Sequence, residues 1–275
     1  MNMIAALLEQ RAGQQIAANR AWRIETALKP ILRERGLNTL DELVVQLIES
    51  RTGELGDLVV DALLNQETSF FRDAAVLDAV GDAVQEIGAR EGDRRLRIWS
   101  AGCSTGQEPL SLAMLFDERG ISEGPRAPEI VATDISPAAL ARARQGRFTQ
   151  FEIQRGLAVR RMMTWFDSAG GDWTARPELV RRVQFRRHNL TADAPPAGKF
   201  DIILCRNVLL YFSPEVRRTV FDALAMAIRP GGLLVLGAGE TVIGQTGHFT
   251  PSEEYRGFYR AAVPSPYVAP SAAAG

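Results

Sequence analysis

The chain has few of the residues on which disulfide-bonded and metal-binding proteins depend. Its 275 residues include two cysteines, Cys103 and Cys205, and two histidines, His188 and His248. Two cysteines cannot build the disulfide framework of a small secreted domain, and neither histidine lies at the spacing of a metal site. We therefore predict a cytoplasmic protein that is reduced and binds no metal.

Long apolar runs are also missing. No window approaches the roughly 18 uncharged apolar residues of a membrane-spanning helix, and Met1–Ala18 has no basic start followed by a long apolar run. We predict neither secretion nor stable membrane insertion. With 46% hydrophobic and 24% charged residues, the chain can bury one large core and a small accessory domain.

Positive charge is concentrated in one part of the chain. The net charge is −1, but residues 142–187 contain eleven arginines and four acidic residues. Such a run is typical of a solvated surface, and it also suits an acidic partner. Both interpretations stay open on the charge pattern alone.

The segment Arg97–Met114 predicts a strand, a tight loop and the start of a helix. Its apolar stretch breaks at Gly102, polar residues continue to Gly106, and apolar residues then recur at helical spacing. In an open parallel sheet such a loop lies at the carboxyl end of the first strand, where a nucleotide-like cofactor approaches the backbone. A glycine-containing turn without a ligand is the alternative.

A second buried strand, Glu129–Asp134, ends in an acid and precedes Ser136. In doubly wound folds, an acid at this position binds the two ribose hydroxyl groups of a cofactor. Asp134 is the candidate for that role, and capping of the following helix is its alternative role.

The remaining strands and helices alternate. This alternation predicts an α/β fold with a doubly wound, mostly parallel sheet, in which the closing hairpin inserts one antiparallel strand. We predict an N-terminal helical domain (1–65), a linker and helix (66–92), the sheet domain (93–263) with a small β/α insert at about 150–187, and a disordered tail (264–275). Within the insert we expect one helix over 152–166 and a hairpin-like segment that turns at 176–178.

The loop after the first strand also distinguishes between cofactors. Dinucleotide sites use G-x-G-x-x-G, whereas residues 102–107 read GCSTGQ and are followed by Glu108. An acid here would repel a pyrophosphate but tolerate a cation without phosphates, such as S-adenosylmethionine. The turn Arg229–Gly232 and the strand start Phe200-Asp201 resemble those of class I methyltransferases.

The TSFFR segment, Thr68–Arg72, combines two adjacent aromatic residues with a hydroxyl and a guanidinium. Paired phenylalanines are typical of an anchor between structural elements. Thr68 and Arg72 would instead suit a ligand carboxylate, because guanidinium groups form charge-assisted bidentate hydrogen bonds with carboxylates.

Taken together, the motifs resemble one family closely, in order and spacing, from about Asn65 to Arg260. They are Thr68–Arg72, Ser104–Pro109, Ala132–Ile135 and Cys205–Val208 with Tyr211-Phe212. On these motifs the chain is identified as similar to the CheR-type chemotaxis protein-glutamate methyltransferases. The resemblance implies methyl transfer from S-adenosylmethionine to glutamate side chains of the chemoreceptor cytoplasmic helical domain. S-adenosylhomocysteine would be the product, and we expect a monomer that binds no nucleic acid.

By motif position, the resemblance places eight residues at the cofactor site: Thr68, Arg72, Glu108, Asp134, Asn189, Leu190, Arg206 and Asn207. Gln66, just before the TSFFR segment, and Gly102, in the loop after the first strand, complete the predicted set. The chain departs from the family at two points. Gln66 stands where the family usually has asparagine, and Gly237-Ala238-Gly239-Glu240 replaces a more polar Gly-His-Ser-Glu turn.

The expected chemistry needs no basic residue, because a glutamate with a pKa of about 4.3 is already ionised near neutral pH. The site must orient this carboxylate and exclude water from it. Tyr211 is our candidate for orienting it, with Arg72 as a second catalytic candidate. We expect the basic segment Arg155–Arg187 to dock an acidic receptor helix and to lie apart from the cofactor site.

Other functions are weighed against this one. A non-catalytic module that senses S-adenosylmethionine or S-adenosylhomocysteine is compatible with the sequence, although intact motifs disfavour it. A nucleic-acid methyltransferase would use the basic insert, but the chain has neither an Asn-Pro-Pro-Tyr-like motif nor a Pro-Cys nucleophile. The loop sequence disfavours a dehydrogenase.

Overall fold

The computed structural model of the chain describes residues 2–16, 22–50 and 52–262, so the predicted tail at 264–275 lies outside the described residues. Its helices are α1 (Asn2–Ala12), α2 (Trp22–Glu34), α3 (Leu40–Glu49), α4 (Glu54–Leu63), α5 (Ala74–Glu91), α6 (Gln107–Glu118), α7 (Pro137–Gln145), α8 (Gln150–Gln154), α9 (Val159–Trp165), α10 (Pro177–Val180) and α11 (Pro214–Ala227). Its strands are β1 (Arg97–Ala101), β2 (Glu129–Asp134), β3 (Arg147–Thr149), β4 (Phe166–Ala169), β5 (Asp172–Ala175), β6 (Val183–Arg187), β7 (Phe200–Cys205), β8 (Ile228–Leu236), β9 (Phe249–Pro251) and β10 (Phe258–Ala261).

Seven strands form the main sheet in the order β6-β2-β1-β7-β8-β10-β9. The pairs among β6, β2, β1, β7 and β8 are parallel, and β10 lies antiparallel between β8 and β9. In the central register Ser100 is paired with Ala132 on one side and Leu204 on the other. The doubly wound fold with one inserted antiparallel strand is confirmed.

The sheet is buried on both faces because alternate residues of its central strands pack against helices on opposite sides. Ile98 belongs to a core with Leu112 and Phe116 of α6, whereas its neighbour Trp99 belongs to a core with Phe221 of α11. All five side chains are at most 2% exposed. This sandwich fixes the carboxyl ends of the parallel strands along one edge.

The first four helices form a separate apolar core. Leu28 of α2, Leu43 of α3 and Val59 of α4 are fully buried within it. The Thr39 hydroxyl caps α3 by accepting a hydrogen bond of 3.2 Å from the backbone N–H of Glu42. None of the described helices is long and apolar enough to cross a membrane.

The structure corrects the predicted insert. The expected helix over 152–166 is two short helices, α8 and α9, and the hairpin β4–β5 turns at Gly170-Gly171 rather than at 176–178, where α10 begins. A small sheet β3-β5-β4 results, and β6 belongs to the main sheet. We therefore use "the insert" for residues 147–180.

Gly156 breaks the predicted helix. Its φ is +96°, and a Cβ built there would lie 2.0 Å from the carbonyl oxygen of Phe70. The insert therefore packs directly on the TSFFR segment.

We expect Gly156→Ala to destabilise the fold more than Gly170→Ala. Both glycines have positive φ, but a Cβ at Gly170 would meet nothing within 4 Å. Gly170→Ala is therefore the control, because it incurs only the cost of a side chain at positive φ. Steric overlap with Phe70 should add more than about 1 kcal/mol to the loss in free energy of unfolding. Urea denaturation of both variants measures this, and equal losses would contradict the close contact.

Candidate active site

A cavity lies at the carboxyl edge of the parallel strands, beneath the N-terminal domain. Its empty volume, with the open mouth included, is about 920 Å³. All eleven residues predicted for the site line it: Gln66, Thr68, Arg72, Gly102, Glu108, Asp134, Asn189, Leu190, Arg206, Asn207 and Tyr211. These residues come from the carboxyl ends of β1, β2, β6 and β7 and the loops after them, from the first turn of α6 and from residues 66–72. Parallel strands bring their carboxyl ends together at one edge of the sheet.

Two lining residues that the sequence did not indicate come from the N-terminal domain, Ala12 and Gln14. The main chain of Gln15 donates a hydrogen bond of 2.8 Å to the carbonyl of Tyr211, which holds this segment beside the cavity. The Asn189 amide donates to the carbonyl of Arg11 at 2.8 Å, so this predicted cofactor residue also ties the two domains together. No local pattern signals such contacts, because they arise only when the domains pack.

The loop after β1 is pinned beside Asp134. The Asp134 carboxylate accepts hydrogen bonds from the backbone N–H groups of Ser104, at 2.7 Å, and Ser136, at 2.9 Å. Ser136, rather than Asp134, caps α7 with its side chain. Burial raises the pKa of the Asp134 carboxyl above its ordinary value, despite these two donors.

Gly102 is required where the loop meets the end of β7. With a φ of +78°, a Cβ at this position would lie 2.6 Å from a methyl group of Val208. The glycine therefore lets the loops after β1 and β7 approach each other across the cavity.

A buried guanidinium joins three walls of the cavity. The Arg206 side chain, 2% exposed, donates to Glu108 at 2.9 Å and to Asp73 at 2.5 Å. It also donates to the carbonyl of Arg72 at 3.0 Å, while Ser100 donates to the second oxygen of Glu108 at 2.8 Å. Both predicted residues of this set, Glu108 and Arg206, are thus held by protein partners.

Arg72 has weaker protein contacts than Arg206. Among the described residues its guanidinium makes one hydrogen bond, 3.5 Å long, to the carbonyl of Glu67. It therefore retains donors toward the cavity, as a ligand carboxylate would require. Asn207 also retains capacity, because its buried side-chain oxygen has no hydrogen-bond partner in the described part of the chain.

Tyr211 lies on a single 3₁₀ turn, Leu209–Tyr211, and its hydroxyl accepts a hydrogen bond from the Asn65 amide. The turn is held by Glu240, whose carboxylate accepts from the backbone N–H groups of Asn207 at 2.7 Å and Leu210 at 3.2 Å. The segment Gly237–Glu240, where the sequence departs from the family, therefore keeps a side chain that supports this turn.

The basic run is largely paired within the protein. Six of its eleven arginines form ion pairs: Arg142 with Glu152, Arg147 with Asp172, Arg155 with Glu67, Arg161 with Glu118, Arg176 with Asp167, and Arg182 with Asp117. These pairs favour the interpretation as a solvated, ion-paired surface. Over the described ranges, no group of three His, Cys, Asp or Glu side chains could hold a metal ion.

Comparison with known proteins decides the family. Residues 66–258 match the family model of the CheR methyltransferase, SAM binding domain. The chain belongs to the CheR methyltransferase family. It is 37% identical to chemotaxis protein methyltransferase 1 of Pseudomonas aeruginosa over 90% of this chain and 92% of that protein, and 37% identical to the chemotaxis protein methyltransferase of Vibrio parahaemolyticus over 88% and 89%.

A solved structure of CalS10, an amino pentose methyltransferase from Micromonospora echinaspora with bound SAM, matches 62% of this chain and 58% of that one, with 21% identity and a TM-score of 0.34. The family assignment depends on the sequence relatives. As a CheR methyltransferase, the protein is an S-adenosylmethionine-dependent enzyme of class I fold. The cavity suits this cofactor because it offers an acid after β2 and the unpartnered amide oxygen of Asn207.

We expect the affinity for S-adenosylhomocysteine to fall as the pH decreases through the raised pKa of Asp134. Ribose hydroxyls bind the ionised carboxylate best, and this carboxyl takes up its proton at a higher pH than an exposed aspartate. Asp134→Asn should weaken binding by about 1.5–3 kcal/mol at neutral pH and remove this pH dependence. Titration calorimetry from pH 4.5 to 8 measures both.

Asp167→Asn is the control, because Asp167 is an exposed acid of the insert that pairs with Arg176. It should keep the affinity and pH profile of the wild type. If Asp134→Asn kept the affinity and pH profile of the wild type, Asp134 would not bind the cofactor.

Proposed function

We propose that the protein transfers the methyl group of S-adenosylmethionine to glutamate carboxylates on the cytoplasmic helical domain of chemoreceptors. The products are glutamyl methyl esters and S-adenosylhomocysteine. The observation that carries the proposal is the position of Tyr211, which lines both the cofactor cavity and a second cavity under the N-terminal domain. Support also comes from relatives of similar length, which are named chemotaxis protein methyltransferases.

The second cavity gives the target side chain a path to the cofactor. It shares Gln14, Asn65 and Tyr211 with the cofactor cavity. It is otherwise lined by Leu210 and by residues of α1, α2 and α4 and the segment after α1. Arg23 lines it and contacts the side-chain oxygen of Asn65 at 3.5 Å. A carboxylate that enters here would meet a guanidinium first and the Tyr211 hydroxyl next.

Four side chains would hold the cofactor by complementary chemistry. Asp134 would accept the ribose hydroxyls, Arg72 would bind the carboxylate of the amino-acid part, and Asn207 would contribute its unpartnered amide oxygen. The negative charge of Glu108 would lower the electrostatic potential near the sulfonium. The ion pair with Arg206 offsets part of the Glu108 charge. When bound, the cofactor supplies an electrophilic methyl group on a positively charged sulfur.

The protein's part in the transfer is orientation and exclusion of water. The ionised glutamate oxygen would take the methyl group and the sulfur of the cofactor would keep the bonding electron pair, so the protein would not have to move a proton. Thiolate nucleophiles near the site are disfavoured, because burial raises the pKa of the Cys103 and Cys205 thiols. Tyr211 would hold the carboxylate in line through its hydroxyl.

Labelled cofactor tests the proposal directly. Incubation with a chemoreceptor cytoplasmic fragment should label the fragment with methyl groups that mild base releases as methanol, as carboxyl methyl esters require. Replacing the methylated glutamates by alanine should abolish the label. A protein that binds S-adenosylhomocysteine but labels no receptor would be a sensor, and label in nucleic acid would indicate a different substrate class.

Tyr211→Phe should lower kcat for the receptor fragment about tenfold, equivalent to about 1.4 kcal/mol, while the affinity for S-adenosylhomocysteine stays within twofold of wild type. The matched control is Tyr255→Phe, because the Tyr255 hydroxyl bonds Glu86 of α5, away from both cavities. An unchanged kcat for Tyr211→Phe would show that the hydroxyl does not orient the substrate.

A further inference from the structure

Arg72 is held between two residues with strained backbone. Phe71 has a φ of +49° and Asp73 a φ of +56°, in the left-handed region that side-chain-bearing residues rarely occupy. Each such residue costs about 1–3 kcal/mol and persists only when its surroundings enforce the conformation. The direction of Arg72 therefore depends on whatever holds its two neighbours.

The sheet domain holds this backbone from the inner side. The Phe71 N–H donates to the Ser111 hydroxyl of α6 at 3.0 Å, and Arg206 bonds the Arg72 carbonyl and the Asp73 carboxylate. These contacts fix the main chain on both sides of Arg72. None of these hydrogen bonds involves the Phe71 ring.

The insert holds the ring. The Arg161 guanidinium carbon lies 3.6 Å from the centroid of the Phe71 ring, which is 8% exposed. Two hydrogen bonds of 2.8 Å to Glu118 of α6 fix the plane of that guanidinium. The cation is therefore set over the ring face, where its attraction to the aromatic quadrupole is greatest.

The preceding ring is held by the insert as well. Phe70 is fully buried and makes edge contacts with Phe148, at 4.9 Å between centroids, and Phe166, at 5.5 Å. The backbone of Gly156 packs on its carbonyl oxygen. Both phenylalanines are thus anchors, as one interpretation of the sequence had it, and their anchoring points lie in the insert.

We propose that Arg161 is a positioning residue for cofactor binding, acting through Phe71 to keep the strained backbone in place and the Arg72 side chain in the cavity. The insert is thereby part of the cofactor site, although its residues do not line the cavity. This inference concerns the cofactor alone and does not depend on which substrate is methylated.

Arg161→Met keeps an apolar stem but removes the guanidinium. We expect the dissociation constant for S-adenosylhomocysteine to rise about fivefold by calorimetry, and Arg161→Lys, which restores a cation, to recover part of that loss. The matched control is Arg160→Met, because Arg160 is exposed and its side chain has no hydrogen bond or ion pair within the described chain. An Arg161→Met variant that binds as tightly as the control would overturn the proposal.

A double-mutant cycle separates positioning from general destabilisation. If Arg161 acts through Arg72, then Arg161→Met should change the dissociation constant less than twofold when Arg72→Ala is already present. A full fivefold effect in that background would show that Arg161 acts by some other route, and would also overturn the proposal. Melting temperatures of the ligand-free variants confirm that each is folded when titrated.

Discussion

The cofactor cavity depends on one buried guanidinium. Arg206 brings together the end of β7, the first turn of α6 through Glu108, and the strained backbone at Arg72-Asp73. A buried charge is costly unless it is fully paired, and removing one partner of such a set typically costs about 3–5 kcal/mol. Two carboxylates and a carbonyl pair with its terminal nitrogens, although its buried Nε has no hydrogen-bond partner in the described part of the chain. Displacing any of the three walls would leave more of this charge unpaired.

The N-terminal domain completes the cavity from above. Asn189 is bonded to the carbonyl of Arg11, and Gln15 is bonded to the carbonyl of Tyr211, so the domain is attached to the loops after both β6 and β7. The second cavity opens between this domain and Tyr211. Cofactor and target side chain would thus approach the same tyrosine from the two cavities that it lines.

Much of the sheet was predictable because its signals are local. The apolar stretches of β1, β2 and β7 end in glycine or polar residues, and parallel strands place those ends side by side. The motifs and the resemblance to the family together predicted eleven residues, and all of them line one cavity. The three-residue strand β9 was missed, since so short a segment carries no periodicity.

What the sequence did not reveal is how side chains are partnered. Glu108 was predicted as an acid that suits a cationic cofactor, and its pairing with Arg206, 98 positions later, was not predicted. The positive charge of residues 142–187 was counted from that segment alone. Acidic residues elsewhere in the sequence, such as Glu67 and Glu118, form ion pairs with it in the fold. The break at Gly156 follows from contact with Phe70, which lies far away in the sequence. Each of these depends on tertiary packing rather than on local pattern.

The most direct test of this account is the affinity of Arg206→Lys for S-adenosylhomocysteine, measured by calorimetry on protein whose circular dichroism matches the wild type. Lysine keeps the charge but cannot bond Glu108, Asp73 and the Arg72 carbonyl at once, because it lacks the planar fork. The account predicts binding at least about tenfold weaker, equivalent to about 1.4 kcal/mol. Wild-type affinity in a folded Arg206→Lys variant would contradict it.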